Sequence, residues 1–134
     1  MGDVDTPYEC IERCVPDLYR MAYLSFGRQD YACDAVTKVC AKGARTLAHI
    51  SDERELKVAL TRLLYRRCLH RLWLYAPDMD KLPELFQAAD KRERLILVLR
   101  FGAGLRSEEA RRATGFSKAD FYHRLANAVQ AIRK

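Results

Sequence analysis

The sequence predicts an all-α fold in which an N-terminal helical bundle packs with a C-terminal helix-turn-helix. Three observations carry that prediction. Apolar residues recur at three- and four-residue spacing along most of the chain. No segment alternates with the two-residue period of a strand. Nearly every periodic segment opens on a residue able to cap a helix.

The first start is Thr6-Pro7-Tyr8-Glu9, a capping box with proline at the first helical position, where its missing N–H costs nothing. Pro16 is expected to end or kink this short helix. A second helix then runs from Asp17 to Phe26 with Leu18, Met21, Ala22 and Phe26 on one face, and Gly27 closes it. Asp30 can cap a third helix reaching Thr46, with Ala32, Val36, Val39, Cys40 and Gly43 as its apolar stripe. Ser51, followed by Asp52 and Glu53, opens a fourth helix to Trp73, expected to be the longest. Its apolar residues cover more than half of the helical wheel, which predicts a central element packed on two sides.

Residues 74–83 hold two prolines and no periodicity and read as a linker. They divide the chain into a bundle over 1–73 and a C-terminal part over 84–134. A short helix from Pro83 to Ala88 follows, then a cap-and-box signal at Asp90-Lys91-Arg92-Glu93 and a buried helix through Leu95–Leu99. Phe101-Gly102-Ala103-Gly104 breaks that helix.

Composition narrows the function classes. With 134 residues and 49% apolar content the chain can bury a core, so disorder is not expected. The net charge of +6 is unevenly placed: Lys+Arg against Asp+Glu is 6 to 7 over residues 1–50, 6 to 5 over 51–80 and 12 to 6 over 81–134. The C-terminal surplus is the electrostatic footprint of a nucleic-acid partner. No stretch is apolar enough for a membrane span and no charged-then-apolar leader precedes the first helix, which predicts a soluble, cytoplasmic protein without a membrane partner. The five cysteines form no CxxC pair and the three histidines are scattered, so neither a metal nor a cofactor is expected. No phosphate loop and no nucleophile with a base at motif spacing is present; the chain does not read as an enzyme.

The informative stretch runs from Gly104 to Leu125: a helix of about two turns, a glycine-containing turn, and a longer helix towards the C-terminus. Gly115 suits the positive φ of a sharp turn, Phe116 can fill the angle between the helices, and Ser117 caps the second helix with Asp120 at its third position. On that second helix Phe121, Leu125, Ala128, Val129 and Ile132 face inward. Lys118, Tyr122, His123, Arg124 and Asn127 are left outside, as a helix entering a major groove requires. The candidate DNA contacts are therefore Arg106, Arg111, Arg112, Ser117, Lys118, Tyr122, His123, Arg124 and Asn127.

Residues 81–133 resemble the fourth conserved region of the extracytoplasmic-function sigma factors. The matching residues are Leu82-Pro83-Glu84-Leu85, Lys91-Arg92-Glu93-Arg94, Leu99-Arg100, Gly104-Leu105, Glu108-Glu109, Gly115-Phe116-Ser117 and Arg124-Leu125. Residues 8–73 are similar to the second region of that family through Val15-Pro16-Asp17-Leu18-Tyr19-Arg20, Gly27, Asp30, Asp34-Ala35-Val36 and the Leu60, Arg62, Leu63 series. The resemblance implies a duplex-DNA partner for the C-terminal part. For the N-terminal part it implies RNA polymerase core, with Asp30, Asp34 and Lys38 at the contact, or an anti-sigma protein. The chain departs from the family at Arg106 and Arg111, at Thr37, Lys38 and Cys40, at Arg66 and His70, and in its much shorter linker.

Two functions follow from this pattern. One is a sigma-like transcription regulator that binds DNA. The other is a degenerate sigma-fold adaptor that binds a protein and reads no DNA. A continuous basic face on the last helix favours the first; cover of that face by residues 1–73, or an Arg111 drawn beneath the helix, favours the second. A linker of about ten residues reaches roughly 35 Å when fully extended. Two promoter elements more than one turn of duplex apart, each turn about 34–36 Å, lie beyond that reach, which predicts halves that pack together.

Overall fold

The computed structural model describes residues 7–71, 77–87 and 90–133, and among them all regular structure is helical. Helix α1 spans Pro7–Phe26, α2 Gln29–Thr46 and α3 Glu53–Arg71. A 3-10 turn at Met79–Lys81 leads to α4, Glu84–Gln87, then α5, Lys91–Phe101, α6, Ser107–Thr114, and α7, Lys118–Arg133. The cap at Thr6, the fourth-helix residues Leu72 and Trp73, positions 74–76 of the linker and Ala88 lie outside the described residues.

One helix replaces the two expected before Gly27, because α1 runs straight through Pro16. Proline at a helix interior removes one hydrogen bond and costs about 3 kcal/mol. Here Ile11 and Cys14 on one side of it, and Leu18, Met21, Ala22 and Phe26 on the other, are all buried on the same face. Packing of that face against α2 and α3 outweighs the local penalty and keeps both halves in register. Within the described residues α1 covers 20 residues and α3, described as far as Arg71, covers 19.

The other starts lie close to their capping signals. Arg28 occupies the cap of α2, and Asp30 sits in its first turn, where its carboxylate accepts from the Tyr31 N–H at 3.0 Å. Asp52 rather than Ser51 caps α3, accepting from the Glu55 N–H at 3.0 Å. Asp90 caps α5 by accepting from the Glu93 N–H at 2.8 Å.

Helix α3 is central, as its wide apolar arc predicts. It packs on α1 and α2 along one side and on α5 and α6 along the other. Leu56, Leu60, Leu64 and Cys68 are buried with Leu95–Leu99 of α5 in one continuous cluster. The segment leading to α4 is held too: the Asp78 N–H donates to Phe26 O at 2.7 Å, and Leu82 is buried. Gly27, at φ +65°, allows this approach, since a Cβ there would lie 2.2 Å from Asp78 O. Residues 77–82 are thus fastened to the end of α1 rather than forming a free spacer.

Periodicity gave no sign that Arg94 would be buried, yet it is only 2% exposed. Its Nε donates to Ser25 O at 3.3 Å, capping the last turn of α1 with a cation, and Nη1 lies 3.4 Å from Met79 Sδ. Burial lowers its pKa, and its Nη2 has no hydrogen-bond partner among the described residues.

Candidate nucleic-acid interface

The turn between α6 and α7 is built by the residues whose types suggested it. Gly115 adopts φ +82° with nothing near its missing Cβ, so the left-handed conformation alone demands glycine. Thr114 Oγ1 accepts from the Phe116 N–H at 3.1 Å, and Ser117 Oγ accepts from the Asp120 N–H at 3.2 Å as the cap of α7. Phe116 packs against the core while the Arg124 guanidinium stands 4.5 Å from its ring centroid.

Helix α7 is anchored by Phe121 and Ala128, both fully buried; Leu125, Val129 and Ile132 are half-buried along the same face. Lys118, Tyr122, His123 and Asn127 are exposed, with Asn127 Nδ2 3.4 Å from His123 Nε2. Arg124, also exposed, is paired with Asp120 at 3.1 Å.

The expected phosphate contacts divide. Arg106 is exposed at the start of α6, and its backbone N–H donates to the Glu109 carboxylate at 2.8 Å. Arg111 does not project freely: its Nε donates to Glu108 at 2.9 Å and its Nη1 to Phe116 O at 2.9 Å, bracing the turn. Arg112 reaches across to α3, its Nη1 donating to Glu55 Oε1 at 2.9 Å.

That last bond belongs to a seam between α3 and the C-terminal helices. Arg54 donates through Nε to Glu109 Oε2 at 2.9 Å, with a second bond from its Nη2 to Oε1. Arg62 donates to Arg112 O, a carbonyl in the last turn of α6. Lys57, 8% exposed, pairs with Asp17 of α1 and donates to Gly104 O at 3.1 Å. Arg20 of α1 donates to Gly102 O at 2.7 Å. Cations of α1 and α3 are therefore directed at carbonyls and carboxylates of the C-terminal part.

The charges respond accordingly. Hydrogen bonds from Arg112, Arg54 and Arg111 hold the carboxyls of Glu55, Glu109 and Glu108, respectively, below the ordinary glutamate range. Burial pushes the thiols of Cys14 and Cys68 up to about 11 and about 12, which leaves them protonated and unreactive at neutral pH. Among the described residues no group of three His, Cys, Asp or Glu side chains could hold a metal ion.

The residues singled out for polymerase contact lie on α2, away from α7. Asp30 is exposed and paired with Arg28 at 3.0 Å, which lowers its pKa. Asp34 pairs with Lys38 at 3.3 Å and Arg67 of α3 at 3.7 Å. Sequence reading missed Arg54, Glu55 and Arg62 as partners of α6, because each bond spans fifty or more positions and no local pattern encodes it. Among the described residues no helix is long and apolar enough to cross a membrane. No family model matches the chain, and no curated protein or solved structure matches it either.

Proposed function

We propose that this chain is a sigma-like transcription regulator that binds duplex DNA through α7, with α6 and α7 acting as its helix-turn-helix. The observation that carries the reading is the outer face of α7. Lys118, Tyr122 and His123 stand exposed on the N-terminal half of a capped helix, the part of a recognition helix that meets base edges, and Asn127 extends that exposed face one turn beyond His123. In this reading Lys118, His123 and Asn127 set sequence preference, while Arg106 touches phosphate and Arg124 supports the helix from its stack on Phe116. The N-terminal helices are the side offered to RNA polymerase, as the family resemblance implies.

The test is a mobility shift of the full chain on duplex fragments at low and physiological salt. Phosphate neutralisation releases counterions, so affinity should fall steeply as salt rises. Affinity that is flat across that range, or absent at low salt, overturns the DNA reading. Binding-site selection with His123→Ala and Asn127→Ala should change the preferred site; an unchanged site removes α7 as the reader.

One observation favours the adaptor instead. Arg112 and Glu109 are engaged by Glu55 and Arg54, so the side of α6 that a phosphate-contacting helix needs is partly committed to α3. A chain that binds polymerase core or an anti-sigma protein, and binds no duplex at low salt, would identify that function.

A further inference from the structure

A second cationic surface lies on the opposite side of α3 from α6. Lys38 and Lys42 of α2 face Arg66, Arg67, His70 and Arg71 of α3 across a groove of about 310 Å³. Val39 and Leu63 complete the groove's lining, so no carboxylate belongs to it. Asp34, on its flank, is shared between Lys38 and Arg67. Lys42, Arg66 and His70 make no ion pair with a described residue and are exposed.

The groove adjoins a second, smaller cavity of about 130 Å³, and Lys38, Arg67 and Arg71 line both. That cavity has a different chemistry. Phe26, Tyr31, Ala35 and Cys68 form apolar walls, and Asp34 supplies one acceptor. The Phe26 and Tyr31 rings meet edge to face at 5.7 Å and 72°. A cavity of about 150 Å³ accepts a benzene-sized ring, so this one matches a single flat aromatic group. The cationic half spans only Lys38 to Lys42 and Arg66 to His70, about 6 Å along each helix axis at 1.5 Å per residue. That length suits a few linked phosphates rather than the repeated charges of a long strand.

We propose that the α2–α3 groove binds a pyrimidine nucleoside polyphosphate, its single-ring base in the Phe26–Tyr31–Cys68 cavity and its phosphates on Lys42, Arg66 and His70. Arg67 and Lys38, between the two compartments, are placed to hold the phosphate nearest the sugar. The Asp34 carboxylate is placed to accept from an exocyclic amine or ring N–H of the base. The proposal is independent of DNA binding by α7, because none of these residues belongs to that helix.

Calorimetric titration of the full chain with UTP, CTP, uridine and inorganic tripolyphosphate tests it at physiological salt. A pyrimidine nucleoside triphosphate should bind at least about tenfold more tightly than tripolyphosphate, and uridine more weakly than either. Arg66→Glu and Lys42→Glu, both at exposed positions, should each weaken UTP or CTP by about tenfold or more. Ala35→Leu should weaken the nucleotide and leave tripolyphosphate unchanged, with a circular-dichroism melt confirming the fold. No binding of UTP or CTP, indifference to both charge reversals, or equal affinity for tripolyphosphate overturns the proposal. So does tighter binding of a twelve-nucleotide single strand that Arg66→Glu abolishes, which would make the groove a nucleic-acid track.

Discussion

At the scale of single residues, Lys57 decides how three separate segments meet. Its ammonium pairs with Asp17 of α1 and also reaches Gly104 O in the α5–α6 connection. Removing one partner of a nearly buried pair leaves the other charge poorly solvated. Because Asp17 keeps about a quarter of its side-chain exposure, solvent screens part of that loss. Lys57→Met should destabilise the chain by about 1–3 kcal/mol in urea unfolding. The double variant Lys57→Met/Asp17→Asn should cost less than the sum of the two singles, by at least about 0.5 kcal/mol. Strict additivity would show that the pair does not couple α1 to α3. Nothing local in the sequence marks Lys57 for burial, which follows from α1 and the α5–α6 connection meeting over it.

Among elements, the seam between α3 and α6 is the feature with a pH signature. The carboxyls of Glu55 and Glu109 titrate below their ordinary value of 4.5, because arginines hold their charged forms. A depressed folded-state pKa contributes stability that is complete above the unfolded value and fades as pH falls through the folded one. The seam should therefore hold from neutral pH down to about 5 and weaken below about 4.5. Thermal melts at pH 6, 4 and 3 check this: Glu55→Gln/Glu109→Gln should lower Tm at pH 6 and converge on the unsubstituted protein at pH 3. A constant gap across that range would assign the loss to packing instead. The helix start at Asp90 and the Gly115 turn were legible beforehand because their signals lie within four residues. Continuity of α1 through Pro16 was not, since it depends on a face buried by distant helices.

At the scale of the whole molecule, the proposed function ties that seam to duplex binding. Glu55 occupies Arg112, so Glu55→Gln should free a cation for phosphate, tighten duplex binding and steepen the salt slope by about one. Glu84→Gln makes the same change in net charge on exposed α4 without releasing an arginine, and serves as the control. Equal gains in both variants would reduce the effect to net charge. Reach sets a second expectation. Because residues 77–82 are fastened to the end of α1, they add little span between the halves. The protein alone with core polymerase should give no specific initiation in an in vitro transcription assay, and specific transcripts would refute the argument from reach.

The sequence by itself determined that the chain is helical and where several of its helices begin, including α5 and α7. It also set the form of the turn before α7. Those properties depend on capping, glycine conformation and apolar period, all of which act over a few neighbouring residues. Only the tertiary structure decided which charges remain available. The pairing of Arg112 with Glu55 and of Arg54 with Glu109, the burial of Arg94, and the gathering of Lys42, Arg66 and His70 in one groove each join distant positions. A charged side chain carries no local mark of its partner, because an ion pair is fixed by where packed helices bring it, and only the fold supplies that distance.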